Sequence, residues 1–503
     1  MWMGEFDWML NQTDLKAVQL NNYLIFDTTE DHISFVQIKH RFQWTYYIIS
    51  STVQKLEELG HELLPKDNLA FSVDWKERRV DINRETLVNP GLMRGLLITR
   101  SNMAKYLYEI SKQTYQGNVN FRMQQNLSEH EMTTMIKNVK AELEHYDITI
   151  DRQGRLIGDE INIRLLIFDF LWRMNCLLNI NKIGDGYVVR TLYDSFENFY
   201  GQGGSNQKEM VMNAISVWVL RLKGRHFIDL EEVELYDIDF DQISQDMKDH
   251  LYDVKDIIKG FFPEMSECEA KQEIQYVWVS LVMLVSNENN IGLWKGTAIY
   301  KKIEHFQKMA MDAFKTIFEI EIEQKMCAQF FSITFVSVMN FLLYGQLNVS
   351  AKKRLSTDSK IKIKYPIANA FVMRILEKMA QELDMDVEQV ELYLLDDYIG
   401  ALLAVVDPKI LPKVNVGVFF PENLGNAFIL KDQISERFVG TVNVHTEADA
   451  ADDVIITSRP LDGLNKMTTL IFDGLPNTKQ INYINDVINR VYYKKFTHQL
   501  VKF

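Results

Sequence analysis

Apolar residues recur at helical spacing through most of the chain. Between residues 160 and 406 they repeat at i, i+3, i+4 and i+7, as in the stretch from Ile163 to Phe170, and this is the spacing of amphipathic helices. The polar loop SNENNIG (286–292) interrupts the pattern near its middle. We therefore predict two helical bundles in tandem, at residues 161–288 and 289–408.

The first 160 residues contain one arrangement of elements twice. Each copy predicts a helix, a short second helix, a longer third helix and then a β-hairpin. The helices of the first copy are KAVQLNNYLIFD, DHISFVQIKHRF and WTYYIISSTVQKLEELG, and those of the second are ITRSNMAKYLYEISKQTY, NFRMQQN and SEHEMTTMIKNVKAELEHY. This is the order of a winged helix-turn-helix, whose third helix enters the major groove of DNA. We assign the two modules to residues 1–88 and 89–160.

Short apolar runs replace the helical pattern near the C-terminus. VNVGVFF, TVNVHT, DVIITS and TTLIF predict strands, whereas GNAFILKDQISERF and NTKQINYINDVINRVYYKKF predict helices. Strands and helices that alternate at this length favour a small parallel α/β sheet, which we place at residues 409–503. The acidic link EADAADD (447–453) is expected to be a solvated turn. The predicted fold class is a mainly α, multidomain protein with a C-terminal α/β domain.

The charge balance is acidic over the whole chain and over its first third. The 503 residues carry a net charge of −14, and residues 1–160 contain 18 Lys and Arg against 23 Asp and Glu. This balance argues against indiscriminate nucleic-acid binding, although affinity for DNA depends on local positive charge. The most basic run, KKRLSTDSKIKIK (352–364), is either a solvated loop or an anion site.

The cysteines and the longest apolar run indicate a cytosolic protein. Cys176, Cys268 and Cys327 are far apart in apolar segments, without zinc-site spacing, and are interpreted as buried thiols in a reducing compartment. The run FFSITFVSVMNFLLYG (330–345) has about 16 residues, fewer than the ~20 that span a bilayer. We therefore expect a buried helix at this run and no contact with a membrane.

The order of these segments resembles that of the Mga/AtxA family of virulence regulators from Gram-positive bacteria. The similarity is clearest in DRQGRLIGDEINIRLLIFDFLW (151–172), in QKEMVMNAISVWVLRLKGRHF (207–227) and in the tail from Val414. The resemblance implies two helix-turn-helix domains, two phosphotransferase-system regulation domains (PRD domains) and a C-terminal domain like the EIIB component of sugar transporters. It implies a dimeric, cytoplasmic transcription regulator that is not an enzyme and needs no cofactor or metal.

Candidate DNA contacts in the first module lie on its third helix and on its hairpin. One side of the helix presents hydroxyl, phenol and amide groups, which can contact bases or phosphates: Thr45, Tyr46, Tyr47, Ser50, Ser51 and Gln54. The other side is predicted to be core: Ile48, Ile49, Val53 and Leu56. The hairpin WKERRVDINR carries the densest basic cluster of the N-terminal half: Lys76, Arg78, Arg79 and Arg84. The alternative is an ordinary solvated hairpin.

The third helix of the second module is a weaker candidate. It begins with Ser128 and two glutamates, which suit a helix N-terminus but would repel phosphates. Lys137 and Lys140 lie further along this helix and remain candidate DNA contacts. A purely structural role, in which the module separates the first module from the bundles, is the alternative.

Histidines of the helical bundles are phosphorylated in the family, and two candidates follow from the resemblance. His226 matches a family position best, and His305 is a weaker match; ordinary surface or core histidines are the alternative. Phosphotransferase-system proteins would then be partners. Because VNVGVFF continues into PENLGN without a cysteine, the C-terminal domain cannot be a cysteine phosphocarrier, and we expect a dimerisation or docking module.

Together these features predict a regulator that binds double-stranded promoter DNA through residues 14–157, with the first module leading. The helical bundles and the C-terminal domain would hold a homodimer together. The alternative is a degenerate family member that acts as a protein-interaction or scaffold protein with little DNA affinity, as the acidic balance suggests. A positive face that joins the first module's third helix to its hairpin would distinguish the two.

Overall fold

The computed structural model describes residues 6–28, 30–63, 71–83, 90–178, 186–200, 205–230, 243–285, 297–318, 323–344, 366–406, 413–438, 441–459 and 468–500. This part of the chain is mainly helical and ends in a parallel sheet. The chain forms two compact units, of which the first comprises Met1–Glu232 and Asp249–Val285 and the second Val233–Lys248 and Ser286–Phe503. Arg84 and the basic run 352–364 lie outside the described residues.

The first unit begins with three helices and a three-stranded antiparallel sheet. The helices are α1 (Gln12–Asn22), which continues into a π-helical turn (Tyr23–Asp27), α2 (Phe35–Phe42) and α3 (Tyr46–Leu63). The strands are β1 (His32–Ser34), β2 (Phe71–Asp74) and β3 (Arg79–Ile82), in the order β1-β3-β2. The chain therefore passes from α3 into a β2–β3 hairpin, with β1 added beside β3.

Strand β1 corrects the prediction that DHISFVQIKHRF is helical throughout. The Ser34 hydroxyl accepts a hydrogen bond from the Gln37 backbone N–H at 3.3 Å, and Gln37 Oε1 accepts one from the Ser34 N–H at 2.8 Å. This reciprocal capping box starts α2 at Phe35. The residues before it are left extended and pair with β3, where Ile33 faces Val80.

A second group of helices follows, again with a hairpin at its end. Its elements are α4 (Pro90–Arg100), α5 (Asn102–Ser111), α6 (Asn118–Gln124), α7 (Glu129–Leu143), β4 (Thr149–Ile150) and β5 (Leu156–Ile157). Asn126 adopts a left-handed conformation (φ 53°) in the turn between α6 and α7. Ser128 and Glu131 form a capping box at the start of α7, so the predicted cap is present.

Five helices complete the first unit, and two of them, α8 and α10, share a core with these N-terminal segments. They are α8 (Glu160–Leu178), α9 (Gly186–Tyr200), α10 (Ser205–Lys223), α11 (Gln245–Phe261), whose first residues belong to the second unit, and α12 (Glu267–Val285). One cluster of buried residues runs from Phe6 through both N-terminal segments to Phe170 and Val217. The Phe6 and Phe170 rings meet edge to face, 5.6 Å apart. The N-terminal segments are therefore packed against α8 and α10.

The second unit contains four described helices before its sheet. They are α13 (Ala298–Phe318), α14 (Gln324–Tyr344), α15 (Pro366–Leu383) and α16 (Val387–Val405). Within the described residues, one helical segment, Gln324–Leu343, is long and apolar enough to cross a membrane. Its mean hydropathy is 1.7. Core helices of soluble proteins pass the same test, so this helix is weak support for a membrane span.

Helix α14 differs from the short, buried helix that its apolar run predicts. It has 21 residues, and only 33% of its most apolar window is buried. Met326 and Ile333 are exposed, whereas Phe330 and Phe335 are buried. The expectation of a buried helix was wrong for one side of α14, which the described residues leave uncovered.

The C-terminal sheet is parallel, as predicted. Its elements are β6 (Val414–Phe419), α17 (Leu424–Arg437), β7 (Val442–His445), β8 (Val454–Thr457), β9 (Thr468–Ile471) and α18 (Thr478–Leu500). The strand order is β7-β6-β8-β9, and every neighbouring pair is parallel. Val414, Val416 and Val418 of β6 are buried in one core with residues of α17 and α18.

The acidic link before β8 is largely exposed, as expected of a solvated turn, but its residue Asp452 is packed against the sheet. Asp452 is buried, its Oδ1 lies 2.9 Å from His445 Nε2, and its Oδ2 accepts a hydrogen bond from the Asp449 N–H at 2.7 Å. A Cβ atom on Gly417 would lie 2.7 Å from the carbonyl oxygen of Glu447 and closer still to Asp452. The glycine in the middle of β6 therefore makes room for the turn.

Candidate nucleic-acid interface

The start of α3 and the turn of the β2–β3 hairpin meet at Tyr46. The guanidinium carbon of Arg78, in the hairpin turn, lies 5.6 Å from the centroid of the Tyr46 ring, and Lys39 Nζ, from α2, lies 5.0 Å from it. Both distances are in the range of cation–π attraction. Lys39 and Arg78 are exposed, and Tyr46 is 38% exposed. We call these three residues, which come from three different elements, the Tyr46 cluster.

Backbone hydrogen bonds fix the position of the hairpin turn. Asp74 Oδ1 accepts hydrogen bonds from the N–H groups of Lys76 at 3.0 Å and Glu77 at 2.9 Å. Arg78 follows in a left-handed conformation (φ 52°), and its carbonyl oxygen accepts a hydrogen bond from the Phe35 N–H at 2.8 Å. The turn is thereby attached to the first residue of α2, which brings Arg78 to the start of α3.

The two cations of the Tyr46 cluster have no carboxylate partner. Neither Lys39 nor Arg78 forms an ion pair within the part of the chain that the structure describes. Arg79, the next residue of the hairpin, places its Nε 3.0 Å from Asp81 and its Nη2 3.8 Å from Asp74. Arg79 is therefore neutralised locally, whereas the Tyr46 cluster keeps its positive charge.

The polar side of α3 is largely open to solvent. Of the candidate residues, Thr45, Tyr46, Tyr47 and Gln54 are exposed, and Ser50 and Ser51 are half-buried. Ile49, Val53 and Leu56 on the other side are buried, and Ile48 is half-buried.

Several of these groups already have partners. Ser51 donates to the Ile48 carbonyl at 3.0 Å and Gln54 donates to Glu58 at 3.1 Å. Tyr47 is the most open residue of this side, at 83% exposure. The contact of these six residues with DNA stays a prediction, as does that of Lys76, which is also exposed.

The start of α7 is acidic, as its sequence suggests. The Ser128 hydroxyl and N–H hold the pKa of the Glu131 carboxyl below its usual value. Glu129 lies 3.8 Å from Arg122 of α6. Lys137 is exposed and Lys140 is half-buried further along α7. This surface therefore offers a phosphate fewer free cations at the helix start than the first module does.

His226 lies half-buried after α10, beside a buried charge. Its backbone carbonyl accepts a hydrogen bond from Arg164 Nη2 at 2.8 Å. Burial lowers the pKa of His226, and the nearby Arg221 lowers it further. A Cβ on Gly224 would lie 2.6 Å from Gln113 Oε1 and 2.7 Å from His226 Cδ2. This loop is therefore close to the end of α5.

The charge beside His226 belongs to a network that joins α8, α10 and α12. Glu273 is fully buried, and its carboxylate accepts hydrogen bonds from Arg164 at 2.7 and 2.9 Å. Trp218 Nε1 and the Ile228 N–H each donate to the same carboxylate at 2.8 Å. Glu160 accepts from Arg164 as well. Every oxygen of Glu273 is therefore satisfied, which is what a buried charge requires.

The remaining candidates are dispersed. His305 of α13 is exposed, with its Nε2 2.8 Å from Glu382 Oε2. Cys268 is exposed and Cys327 is half-buried, so the assignment of these two residues as buried thiols was wrong. No group of three or more His, Cys, Asp or Glu side chains within the described ranges could hold a metal ion.

Lys39 is the member of the Tyr46 cluster that the sequence did not single out. Its signal was the basic triplet KHR (39–41) at the end of α2, which the denser basic run of the hairpin outweighed. Tyr46 and Arg78 were both candidates, and the structure brings them together.

Comparison with known families places a match on the second group of helices. Residues 95–171 match the protein-family model of the Mga helix-turn-helix domain. The match begins in α4, includes α5 to α7 with the β4–β5 hairpin, and ends in α8. No curated protein matches the chain. A helix-turn-helix is a DNA-binding motif, so the match supports a DNA-binding regulator.

Proposed function

We propose that the chain is a DNA-binding transcription regulator of the Mga type, and the observation that carries this proposal is the Tyr46 cluster. Its two cations, which form no ion pair within the described residues, join the start of α3 to the hairpin turn on an exposed surface. A local positive charge that joins these two elements favours DNA binding over a scaffold role. The match of residues 95–171 to a helix-turn-helix family model supports the same function.

The finer architecture is proposed on the order of elements. Residues 1–88 and 89–160 are winged helix-turn-helix modules, residues 161–288 and 289–408 are PRD-like bundles, and residues 409–503 are an EIIB-like domain. The protein acts in the cytoplasm as a homodimer, because paired half-sites raise affinity and set spacing. His226 and His305 are the phosphorylation sites that phosphotransferase-system proteins would modify.

The proposed interface predicts weak sequence preference and strong salt dependence. Most of the exposed groups of the first module suit phosphates better than base edges. Each phosphate contact contributes about −0.9 to the slope of log K against log salt. The net negative charge of the chain lowers its non-specific affinity for DNA. Attraction of the duplex therefore depends on the local positive charge of the Tyr46 cluster.

The test is fluorescence anisotropy of the full-length chain on random and promoter duplexes at two salt concentrations. The Lys39→Ala/Arg78→Ala variant is expected to bind all duplexes more weakly, with a salt slope reduced by about 1.8. The matched control, Lys301→Ala/Lys302→Ala, removes the same charge from exposed positions of α13 and should leave binding unchanged. Equal losses in both variants would refute a DNA interface at the Tyr46 cluster.

The second candidate is a degenerate scaffold protein with little DNA affinity. The excess of acidic residues in the first 160 positions favours it, 23 against 18. In this case the wild-type chain would not bind any duplex at low salt, where electrostatic attraction is strongest.

A further inference from the structure

We propose that Tyr46 is a positioning residue that holds Lys39 and Arg78 as a two-cation clamp for the phosphates of a DNA strand. The inference rests on the proposed function and deepens it, because it names the small group of residues that would contact the phosphate backbone of a DNA strand. The ring has a cation from α2 and a cation from the hairpin turn within 5.0 and 5.6 Å of its centroid. Tyr23, by comparison, has one cation, Arg41, at 5.9 Å from its ring centroid.

The spacing of the two cations suits a nucleic-acid backbone. Since both lie near one ring, Lys39 Nζ and the Arg78 guanidinium carbon are at most about 10.6 Å apart. One strand of a duplex presents a phosphate for about every 3.4 Å of helix axis. This upper limit allows both cations to contact the phosphates of one strand.

The charge environment favours an anion at this position. Two like charges held near each other without a carboxylate partner repel one another, and a phosphate between them removes that repulsion. The neighbouring Arg41 and Arg79 already contact Asp27 and Asp81, at 3.1 and 3.0 Å. These two arginines would have to break an ion pair before they could bind a phosphate.

The ring is needed because the backbone alone does not place the two side chains. The Arg78 carbonyl is attached to the Phe35 N–H, but its guanidinium is exposed. Exposed lysine and arginine side chains lose considerable rotamer freedom when they bind. Contact with the ring reduces this loss in advance, so binding becomes tighter without a new contact to DNA.

The test compares Tyr46→Phe with Tyr46→Leu in the full-length chain, by anisotropy on a random duplex. Phenylalanine keeps the ring face, so its Kd should stay within about twofold of wild type. Leucine should weaken binding by about five- to tenfold, which corresponds to roughly 1 to 1.4 kcal/mol, because the two cations are then no longer ordered before DNA binds. In the Lys39→Ala/Arg78→Ala background, Tyr46→Leu should have less than a twofold effect, because there is nothing left to position.

Three results would contradict the clamp. Tyr46→Leu and the wild type would have equal Kd values, or Tyr46→Phe and Tyr46→Leu would lose the same affinity. In the third, Tyr46→Leu would weaken binding in the double-alanine background as much as it does in the wild type. If Tyr46→Leu fails to fold, as judged by circular dichroism, the Lys39→Gln and Arg78→Gln variants form a cycle that replaces it. Non-additive losses in this cycle support a clamp in which the two cations act together, and additive losses contradict it. A wild-type chain without duplex affinity would refute the proposed function itself, which is a different outcome.

Discussion

At the scale of single residues, the first unit keeps two full charges away from water. Arg164 and Glu273 are 1% and 0% exposed, and their contacts are completed by Glu160, Trp218 and the Ile228 N–H. A buried ion pair contributes little net stability while it is complete, but the loss of one partner leaves an uncompensated charge. The sequence shows no sign of this pair, because its members are 109 positions apart.

Removal of the buried carboxylate is therefore predicted to destabilise the first unit. Glu273→Gln should lower its free energy of unfolding by about 3 to 5 kcal/mol. Seven of the eight tryptophans belong to this unit, so tryptophan fluorescence in urea follows its unfolding. The matched control is Glu62→Gln, at an exposed ion pair with Arg100, which should cost less than about 1 kcal/mol. Similar losses in both variants would contradict the role of the buried network.

A second residue-scale prediction concerns acid stability. Burial lowers the pKa of His250 to about 4, although Asp253 acts in the opposite direction. Below pH 6.5 the His250 side chain binds a proton in the unfolded chain but not in the folded one. The contribution of His250 to the free energy of unfolding is therefore fully present above pH 6.5 and is lost as the pH falls to 4. The loss should be on the order of 2 to 3 kcal/mol. His250→Phe should show a smaller loss over this range in urea titrations, and an unchanged pH profile would contradict the assignment.

Residue-scale reasoning from the sequence found part of the candidate interface. Tyr46 and Arg78 were named because hydroxyl groups and cations suit DNA. Lys39 was missed, and Arg79 was weighted like Arg78 although it is neutralised. Both errors have one cause: an ion pair or a cation–π contact depends on partners that approach only in the folded chain.

At the scale of elements, local patterns predicted the helices and the parallel strands well. Short-range signals such as the capping box at Ser128 and the apolar run of β6 are sufficient for this. Strand β1 was missed because it pairs with residues nearly 50 positions later, with His32 opposite Asp81. The burial of Asp452 was missed because the acidic composition of the link is that of a solvated turn, which most of its residues form.

The packing of that turn predicts the effect of a larger residue at Gly417. Gly417→Ala places a Cβ against Asp452 and the Glu447 carbonyl, and such overpacking costs about 1 to 3 kcal/mol. Hydrogen–deuterium exchange of β6 and β7 should become faster. Gly400→Ala in α16 is the control, since nothing lies within 4 Å of its Cβ position, and a helical Gly→Ala change stabilises by up to about 1 kcal/mol. An unchanged hydrogen–deuterium exchange rate in β6 would contradict this prediction, because the turn would then accommodate the added methyl group without strain.

At the scale of the whole molecule, the acidic chain and its local positive cluster have to be considered together. A net charge of −14 repels a polyanion at long range, but this repulsion is screened beyond about 8 to 10 Å in physiological salt. The unpaired cations of the first module then act at short range. The four boundaries between the five domains remain predictions, because the N-terminal segments share one core with α8 and α10, and a hydrophobic pattern does not reveal such sharing.

The most direct test of a DNA interface at the Tyr46 cluster compares Arg78→Ala with Arg79→Ala in salt-dependent anisotropy of the full-length chain. The two variants lose the same charge at adjacent positions, but within the described ranges only Arg79 has carboxylate partners. Arg78→Ala is predicted to reduce the salt slope by about 0.9 and to weaken binding to every duplex, with a clearly smaller effect of Arg79→Ala. Equal effects of the two variants, or a larger effect at Arg79, would contradict the account.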